Sequence, residues 1–161
     1  MASRLWMRPQ ERAVEPPFFA VFRNRFTTTV PARLRFTWSA DERAGFFCDG
    51  DVIADGPPRG TVQRWFSAVV DLPLEPGGHV LTARLFAFGG CLTAYGQMSI
   101  APGLFVQDES GLLSPDWEYQ VCMGCSFSGS KTDWGSYAHL LTDEAFNWNA
   151  LHGEGGEWKP V

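Results

Sequence analysis

The chain has 161 residues, a formal net charge of −5 and a sequence pI of about 5.1. This acidic balance argues against a nucleic-acid partner, because phosphate binding needs a surplus of Lys and Arg. The sequence has no run of about 18 apolar residues, so it predicts no membrane-spanning helix and no membrane partner. The length suits one domain, residues 1–161, that is large enough to bury a core.

Glycine and proline are abundant, with 17 and 11 residues, whereas charged residues make up only 19% of the chain. This composition favours many short strands joined by tight turns over a helical bundle. The stretch from Met1 to Pro9 lacks the apolar segment of a signal peptide, so a complete chain with this start is expected to be cytoplasmic.

The first half of the sequence predicts one antiparallel strand after another. Leu34, Phe36 and Trp38 alternate with polar residues, as in a strand that is buried on one face. Asp49-Gly50 lies between two apolar runs and predicts a hairpin turn, because both central residues of such a turn must accept a positive φ. Strands are predicted at residues 21–28, 32–39, 45–48, 52–54, 61–72 and 79–88.

The second half of the sequence has a weaker pattern. Residues 95–100, 104–106 and 118–123 are predicted strands. Residues 126–136 are polar and rich in serine and glycine, which predicts a surface loop that carries Trp134. Residues 138–150 form the only helix-like stretch.

The four cysteines permit two disulfides without requiring them. Cys48 and Cys91 lie in apolar or glycine-rich surroundings that are typical of buried free thiols. Cys122 and Cys125 form a Cys-x-x-Cys pair, but the sequence has no second pair to complete a zinc site and no βαβ pattern for a redox motif. We therefore interpret the cysteines as structural.

A series of short motifs resembles the N-terminal β-sandwich domain of bacterial α-L-rhamnosidases. The resemblance rests on the order of the motifs along nearly the whole chain: Leu5-Trp6-Met7, Phe22-Arg23-Asn24-Arg25-Phe26, Pro31-Ala32-Arg33-Leu34, Ser39-Ala40-Asp41, Cys48-Asp49-Gly50, Gly56-Pro57, Arg64-Trp65, Gly77-Gly78-His79-Val80-Leu81, Asp116-Trp117 and Trp158-Lys159-Pro160-Val161. Asp49 and His79 stand where the family has asparagine. Five tryptophans fall on the family's framework positions and are expected in the core: Trp6, Trp38, Trp65, Trp117 and Trp158.

The resemblance implies an all-β, jelly-roll β-sandwich of the galactose-binding-domain-like type. It also implies a non-catalytic accessory domain of a larger glycoside hydrolase, because the helical barrel that carries the family's catalytic carboxylates lies outside this region. The expected partners are carbohydrate, including L-rhamnose-containing glycans, and other domains of the parent hydrolase.

The residues themselves give little support for catalysis. A glycosidase needs two carboxylates about 5–10 Å apart, one of them with a raised pKa. The adjacent pairs Asp41/Glu42, Asp108/Glu109 and Asp143/Glu144 cannot flank one bond, because neighbours in a strand lie on opposite faces. A complete small hydrolase would require two carboxylates facing each other across a pocket, and that alternative stays open.

Carbohydrate binding is the activity that the residues suggest for such an accessory domain. Trp134 lies among Lys131, Asp133 and Tyr137, a mixture of aromatic and polar residues that suits a small polyol. The alternative is that Trp134 folds down to cover the sandwich. A purely structural or protein-interaction domain that packs on a catalytic barrel is the rival function. A structural Ca²⁺ is a weaker prediction, with Asp41 and Asp49 as its ligands.

Overall fold

A computed structural model describes residues 4–10, 15–56, 61, 63–88, 99–132 and 135–161. Its strands are β1 (Arg4–Met7), β2 (Phe18–Thr28), β3 (Ala32–Asp41), β4 (Arg43–Cys48), β5 (Asp51–Gly56), β6 (Ala68–Leu74), β7 (Gly77–Ala87), β8 (Gly103–Asp108), β9 (Glu118–Val121), β10 (Cys125–Thr132), β11 (Gly135–Thr142) and β12 (Lys159–Pro160). A short 3₁₀ helix covers Trp148–His152. No helix in these ranges is long and apolar enough to span a membrane.

Two antiparallel sheets form a β-sandwich. The larger sheet has the strand order β12-β9-β2-β7-β4-β5, and the smaller has the order β1-β8-β3-β6. The longest pairing joins β2 to β7 from Phe18↔Ala87 to Thr28↔Gly77. The all-β fold class predicted from the sequence is confirmed.

The main core lies between the two sheets. Phe46 of β4 packs against Phe36 and Trp38 of β3, with ring centroids 5.2 and 4.9 Å apart, so it joins the sheets directly. Phe22 of β2 packs in the same core, 5.8 Å from Tyr119 of β9. The alternation that predicted the inward face of β3 is therefore correct.

The outer face of the larger sheet is covered by the C-terminal segment. Arg23 and Arg25 of β2 donate hydrogen bonds to the Gly153 carbonyl oxygen at 2.7 and 3.0 Å. Arg84 of β7 donates to the Leu151 carbonyl oxygen at 3.0 Å. These guanidinium groups donate hydrogen bonds to carbonyl groups at the end of the 3₁₀ helix that have no partner within the helix. The polar outer face of the sheet therefore binds the C-terminal segment as a third layer.

The outer face of the smaller sheet has a charged end and an apolar end. At the charged end, Arg35 pairs with both Asp71 and Glu109. At the apolar end, Trp6 of β1 lies 6.3 Å from Phe105 and 6.2 Å from Trp65. Trp6 is 42% exposed, so its predicted position in the core is wrong, whereas Trp38 and Trp117 are buried as expected. Trp65 and Trp158 are half-buried.

The predicted loop at residues 126–136 is a β-hairpin instead. Strands β10 and β11 pair from Cys125↔Thr142 to Thr132↔Gly135 and form a separate two-stranded sheet. Phe127 anchors the hairpin by packing edge-to-face on Phe88, 5.1 Å away. The helix predicted at 138–150 is correspondingly wrong, because its first half is strand β11 and only Trp148–His152 is helical.

The other strand predictions differ from the structure mainly at their ends. Residues 61 and 63–67, the described part of this stretch, contain an isolated bridge between Thr61 and Arg64 and no strand, so the strand predicted at 61–72 begins at Ala68 in the structure. Most of the strand predicted at 95–100 lies outside the described residues. The turn prediction at Asp49-Gly50 is confirmed, with φ values of 52° and 95° between paired Cys48 and Asp51.

Phe46→Ala tests the role of this ring in joining the sheets. Phe46 is fully buried, so the substitution should lower the free energy of unfolding by about 3–5 kcal/mol. Val52→Ala in the paired strand is the matched control, because Val52 is 67% exposed and its loss should change stability by no more than about 0.5 kcal/mol. Urea unfolding of both variants measures the difference. Equal losses would show that the sheets do not depend on Phe46.

Candidate functional site

A cleft of about 600 Å³ opens at the end of the larger sheet, where β2, β9 and β10 meet the C-terminal segment. Its apolar lining includes Phe18, Val121, Met123 and Phe127, and its polar lining includes Gln120, Asn147, Glu157 and Lys159. Met123 is 76% exposed. An apolar wall with a few converging polar groups is the usual character of a small-molecule site.

Gly156 lets the C-terminal segment approach the floor of this cleft. A Cβ atom at this position would lie 2.3 Å from Gln120 Oε1 and 3.0 Å from Asn147 Nδ2. The residue also has a φ of 69°, in the left-handed region that favours glycine. The close approach therefore brings amide groups from β9 and from the start of the 3₁₀ helix to one side of the cleft.

Cys122 and Cys125 form part of the cleft wall as free thiols. Cys125 Sγ donates to the Cys122 carbonyl oxygen at 3.2 Å. Burial raises the pKa of Cys122 to about 12, and it also raises the pKa of Cys125. Reactive thiols have lowered pKa values instead, so this pair is suited to packing and not to nucleophilic chemistry.

The residues predicted to bind carbohydrate belong to the β10–β11 hairpin. Asp133 and Trp134 lie outside the described residues. The backbone pairing sets Lys131 opposite Ser136, and Tyr137 opposite Ser130. The role of Lys131 and Tyr137 in binding stays a prediction.

The cleft residues were not found from the sequence. Gln120 lies in a strand that was predicted, but its cleft partners Asn147 and Glu157 are 27 and 37 positions away along the chain. Met123 follows the same strand, and as an apolar residue it gives no indication of a binding site in the sequence. A polar residue in a mostly apolar strand, such as Gln120, was the only local indication that this edge of the sheet has a role.

Asp41 is buried at the end of β3. Its Oδ2 accepts hydrogen bonds from the backbone N–H groups of Ile100 and Ala101, at 2.7 and 2.6 Å. Its Oδ1 is buried without a hydrogen-bond partner among the described residues. The six residues of β4 separate Asp41 from Asp49 by about 20 Å at the usual rise of a strand, so the two carboxylates cannot ligate one ion.

Asp49 connects the β4–β5 turn to the start of β7. Its Oδ1 accepts from the Val80 N–H at 2.8 Å, and its Oδ2 lies 2.7 Å from His79 Nδ1. The other ring nitrogen of His79, Nε2, lies 3.0 Å from the Glu75 carbonyl oxygen. Both ring nitrogens thus face acceptors, and the hydrogen bond to Asp49 raises the pKa of His79 above its ordinary value.

Asp108 and Glu109 are not suited to glycoside hydrolysis. Asp108 accepts hydrogen bonds from the Ser110, Gly111 and Leu113 N–H groups, which makes it part of a turn. Hydrogen bonds from Thr37 and Arg35 lower the pKa of Glu109. A general acid needs the opposite shift, so Glu109 is unsuited to that role.

Comparison with solved structures finds this sandwich to be similar to parts of glycoside hydrolases. A GH78 family rhamnosidase of Bacillus sp. GL1 matches with a TM-score of 0.63 and 20% identity, over 74% of this chain and 13% of that chain. A GH2 β-galacturonidase from Eisenbergiella tayi matches at a TM-score of only 0.37 and 13% identity. The first likeness shows the fold, a β-sandwich that spans a small part of a much longer enzyme.

Sequence comparison adds no family assignment. No protein-family model matches the chain, and no curated protein matches it either.

The His79–Asp49 pair predicts a pH dependence of stability. A histidine whose pKa is raised by folding stabilises the protein fully below its unfolded pKa of about 6.5, and this contribution is lost as pH rises through the folded value. Urea unfolding in chelator-containing buffer should therefore show a stability that declines as the pH rises above about 6.5.

His79→Gln should flatten this decline, and His152→Gln should preserve it, because exposed His152 makes no pair with Asp49. A decline that is unchanged in His79→Gln would assign the pH dependence to other groups.

Proposed function

We propose that this chain is a non-catalytic accessory domain of an α-L-rhamnosidase-like glycoside hydrolase and that it binds carbohydrate. The observation that carries the proposal is the fold likeness to a GH78 rhamnosidase, which covers 74% of this chain but 13% of the enzyme. A sandwich of this size corresponds to a minor part of such an enzyme. The ordered motifs of the first half support the same assignment.

The cleft supports the carbohydrate part of the proposal. A sugar ring has apolar C–H faces and a rim of hydroxyl groups, so it needs apolar contact together with donors and acceptors. Met123 and Phe127 supply apolar surface, while Gln120 and Asn147 supply amide groups that both donate and accept. The β10–β11 hairpin borders the cleft through Cys125 and Phe127. The predicted platform Trp134 lies outside the described residues.

An interaction domain that packs on a catalytic barrel is the second candidate function, and one surface favours it. Trp6, Phe66 and Val69 are 42%, 53% and 53% exposed, and Trp6 lies beside half-buried Trp65. Exposed aromatic residues that lie together are typical of protein–protein contacts. Other domains of a parent hydrolase are the expected partners of this patch.

Binding experiments on Trp134→Ala and Met123→Ala test the carbohydrate proposal. Calorimetric titration with L-rhamnose and a glycan array identify the ligand first. If Trp134 is a stacking platform, Trp134→Ala should abolish binding with little change in stability. If it is a lid, the same change should cost about 3 kcal/mol and leave binding intact in the folded fraction.

Met123→Ala separates the cleft from the tip of the hairpin. Because Met123 is exposed, its loss should not change the melting temperature, and weaker binding would place the ligand in the cleft. Trp6→Ala is the control on the opposite sheet and should bind normally. If no screen identifies a ligand, carbohydrate binding is contradicted. If Trp6→Ala then also loses association with a domain of the parent hydrolase, the interaction function is favoured.

The chain is expected to be inactive on aryl rhamnosides and other glycosides. Glu15 and Glu157 both line the cleft, but both are exposed, whereas the general acid of a glycosidase is kept protonated by burial or by a neighbouring charge. Turnover above a buffer control, lost in Glu15→Gln or Glu157→Gln, would show that the cleft is catalytic and would overturn the accessory-domain proposal.

A further inference from the structure

A cluster of three metal-binding side chains lies at the opposite end of β4 from Asp41. Cys48 ends β4, Asp49 begins the turn to β5, and His79 is the third residue of β7. One ligand atom from each residue lies within 4.8 Å of the other two. Asp49 Oδ2 is the common neighbour, 2.7 Å from His79 Nδ1 and 3.9 Å from Cys48 Sγ.

These separations are close to those in a metal site. Tetrahedral zinc has bonds of about 2.0–2.3 Å to nitrogen, oxygen and sulfur, so its ligand atoms lie about 3.5 Å from one another. The two observed distances fall on either side of that value. Side-chain shifts of less than about 1 Å would therefore bring all three atoms into the coordination shell of one ion.

Hydrogen bonds connect the three side chains of the cluster in the metal-free structure. The Cys48 thiol donates to Asp49 Oδ2. His79 faces acceptors at both ring nitrogens, an arrangement that favours the doubly protonated imidazolium form. A divalent ion that displaces the thiol proton and the Nδ1 proton would leave a thiolate, a carboxylate and a neutral imidazole. The net charge of the cluster is zero in both states, so the exchange leaves no uncompensated charge.

The outer contacts of His79 are those of a metal ligand. Its Nε2–H donates to the Glu75 carbonyl oxygen, which orients the ring and directs Nδ1 toward the cluster. Thr28 Oγ1 donates to the same carbonyl at 2.9 Å, and the Phe26 ring lies 5.4 Å from the imidazole. The His79 side chain is only 10% exposed, whereas Asp49 is 46% exposed, so the cluster is accessible from one side.

We propose that Cys48, Asp49 and His79 bind one divalent ion of the zinc class, with solvent at the remaining coordination position. Thiolate and imidazole ligands select zinc-like ions, whereas Ca²⁺ prefers six to eight oxygen ligands. Asp49 thus serves a softer metal than the Ca²⁺ expected from the sequence. The bound ion would link the β4–β5 turn to β7. This proposal is independent of the proposed carbohydrate binding.

Cobalt titration is the direct test. Metal-free protein in a phosphine reductant is titrated with Co²⁺, which replaces zinc and reports its ligands by absorption. We expect saturation at one ion per chain, a thiolate-to-cobalt charge-transfer band, displacement by Zn²⁺ and a rise in melting temperature. Absence of saturable binding would overturn the proposal.

Variants identify the ligands. Cys48→Ser should remove the charge-transfer band, and His79→Gln should weaken binding at least about 10-fold, the lower limit for losing even an outer-shell partner. Asp49→Asn is the variant that should leave the β4–β5 turn folded, because Asn-Gly is a preferred sequence for this type of turn. It should also weaken binding while leaving the far-ultraviolet circular dichroism unchanged. Full affinity in Asp49→Asn and His79→Gln together would contradict the assignment.

Matched controls test the Cys-x-x-Cys thiols and the neighbouring His152 as alternative ligands. The double variant Cys122→Ser/Cys125→Ser should retain the charge-transfer band and the affinity. His152→Ala should also bind normally, although His152 Nδ1 lies beside the same turn, 3.8 Å from where a Cβ on Gly50 would stand. A band that persists in Cys48→Ser and disappears in the double variant would place the metal at the Cys-x-x-Cys pair and overturn the proposal.

Discussion

Burial of β2 on both of its faces is the constraint on which the rest of the structure depends. Phe19, Ala20, Val21 and Phe22 are all buried, because one face of the strand packs in the sandwich core and the other packs beneath the C-terminal segment. The strand pairs with β7 along its whole length and with β9 along part of it. A slip of one residue in either pairing would exchange Phe22 for Arg23 in the core, so the register is strongly determined.

The second half of β2 determines where the C-terminal segment lies. The outward-facing residues of β2 change along the strand from Phe19 and Val21 to Arg23 and Arg25. The C-terminal segment accordingly packs on the first two by apolar contact and accepts hydrogen bonds from the guanidinium groups of the two arginines through the Gly153 carbonyl oxygen. Arg23 also stacks on Trp158, with 4.0 Å to the ring centroid. The cleft forms where the C-terminal segment meets the end of the larger sheet. It therefore depends on this third layer, and the two sheets of the sandwich alone would not form it.

The strands that could be predicted from the sequence are those with a clear contrast between an inward and an outward face. In β3, Leu34, Phe36 and Trp38 are buried and Arg33 and Arg35 are exposed, as the alternation indicated. The β10–β11 hairpin has no such contrast, because its serine and glycine residues are typical of loops. Its stability comes from self-pairing and from the anchor Phe127 on Phe88, a contact between residues far apart in the chain. Trp6 was expected in the core because the resemblance placed it on a framework position, and local sequence does not show that β1 lies at a sheet edge.

By itself, the sequence determined that this protein is an all-β chain, and it determined the Asp49-Gly50 turn between β4 and β5, because alternation and turn chemistry are local properties. Only the tertiary structure decided which polar residues meet. His79 is 30 positions from Asp49, and the two side chains come together because the Asp49 N–H bonds the Val80 carbonyl oxygen across the β4–β7 edge. In the same way, Gln120 and Asn147 share a cleft because arginines on β2 hold the C-terminal segment over the sheet. Such meetings depend on strand order and register, and these are set by burial of apolar faces throughout the molecule.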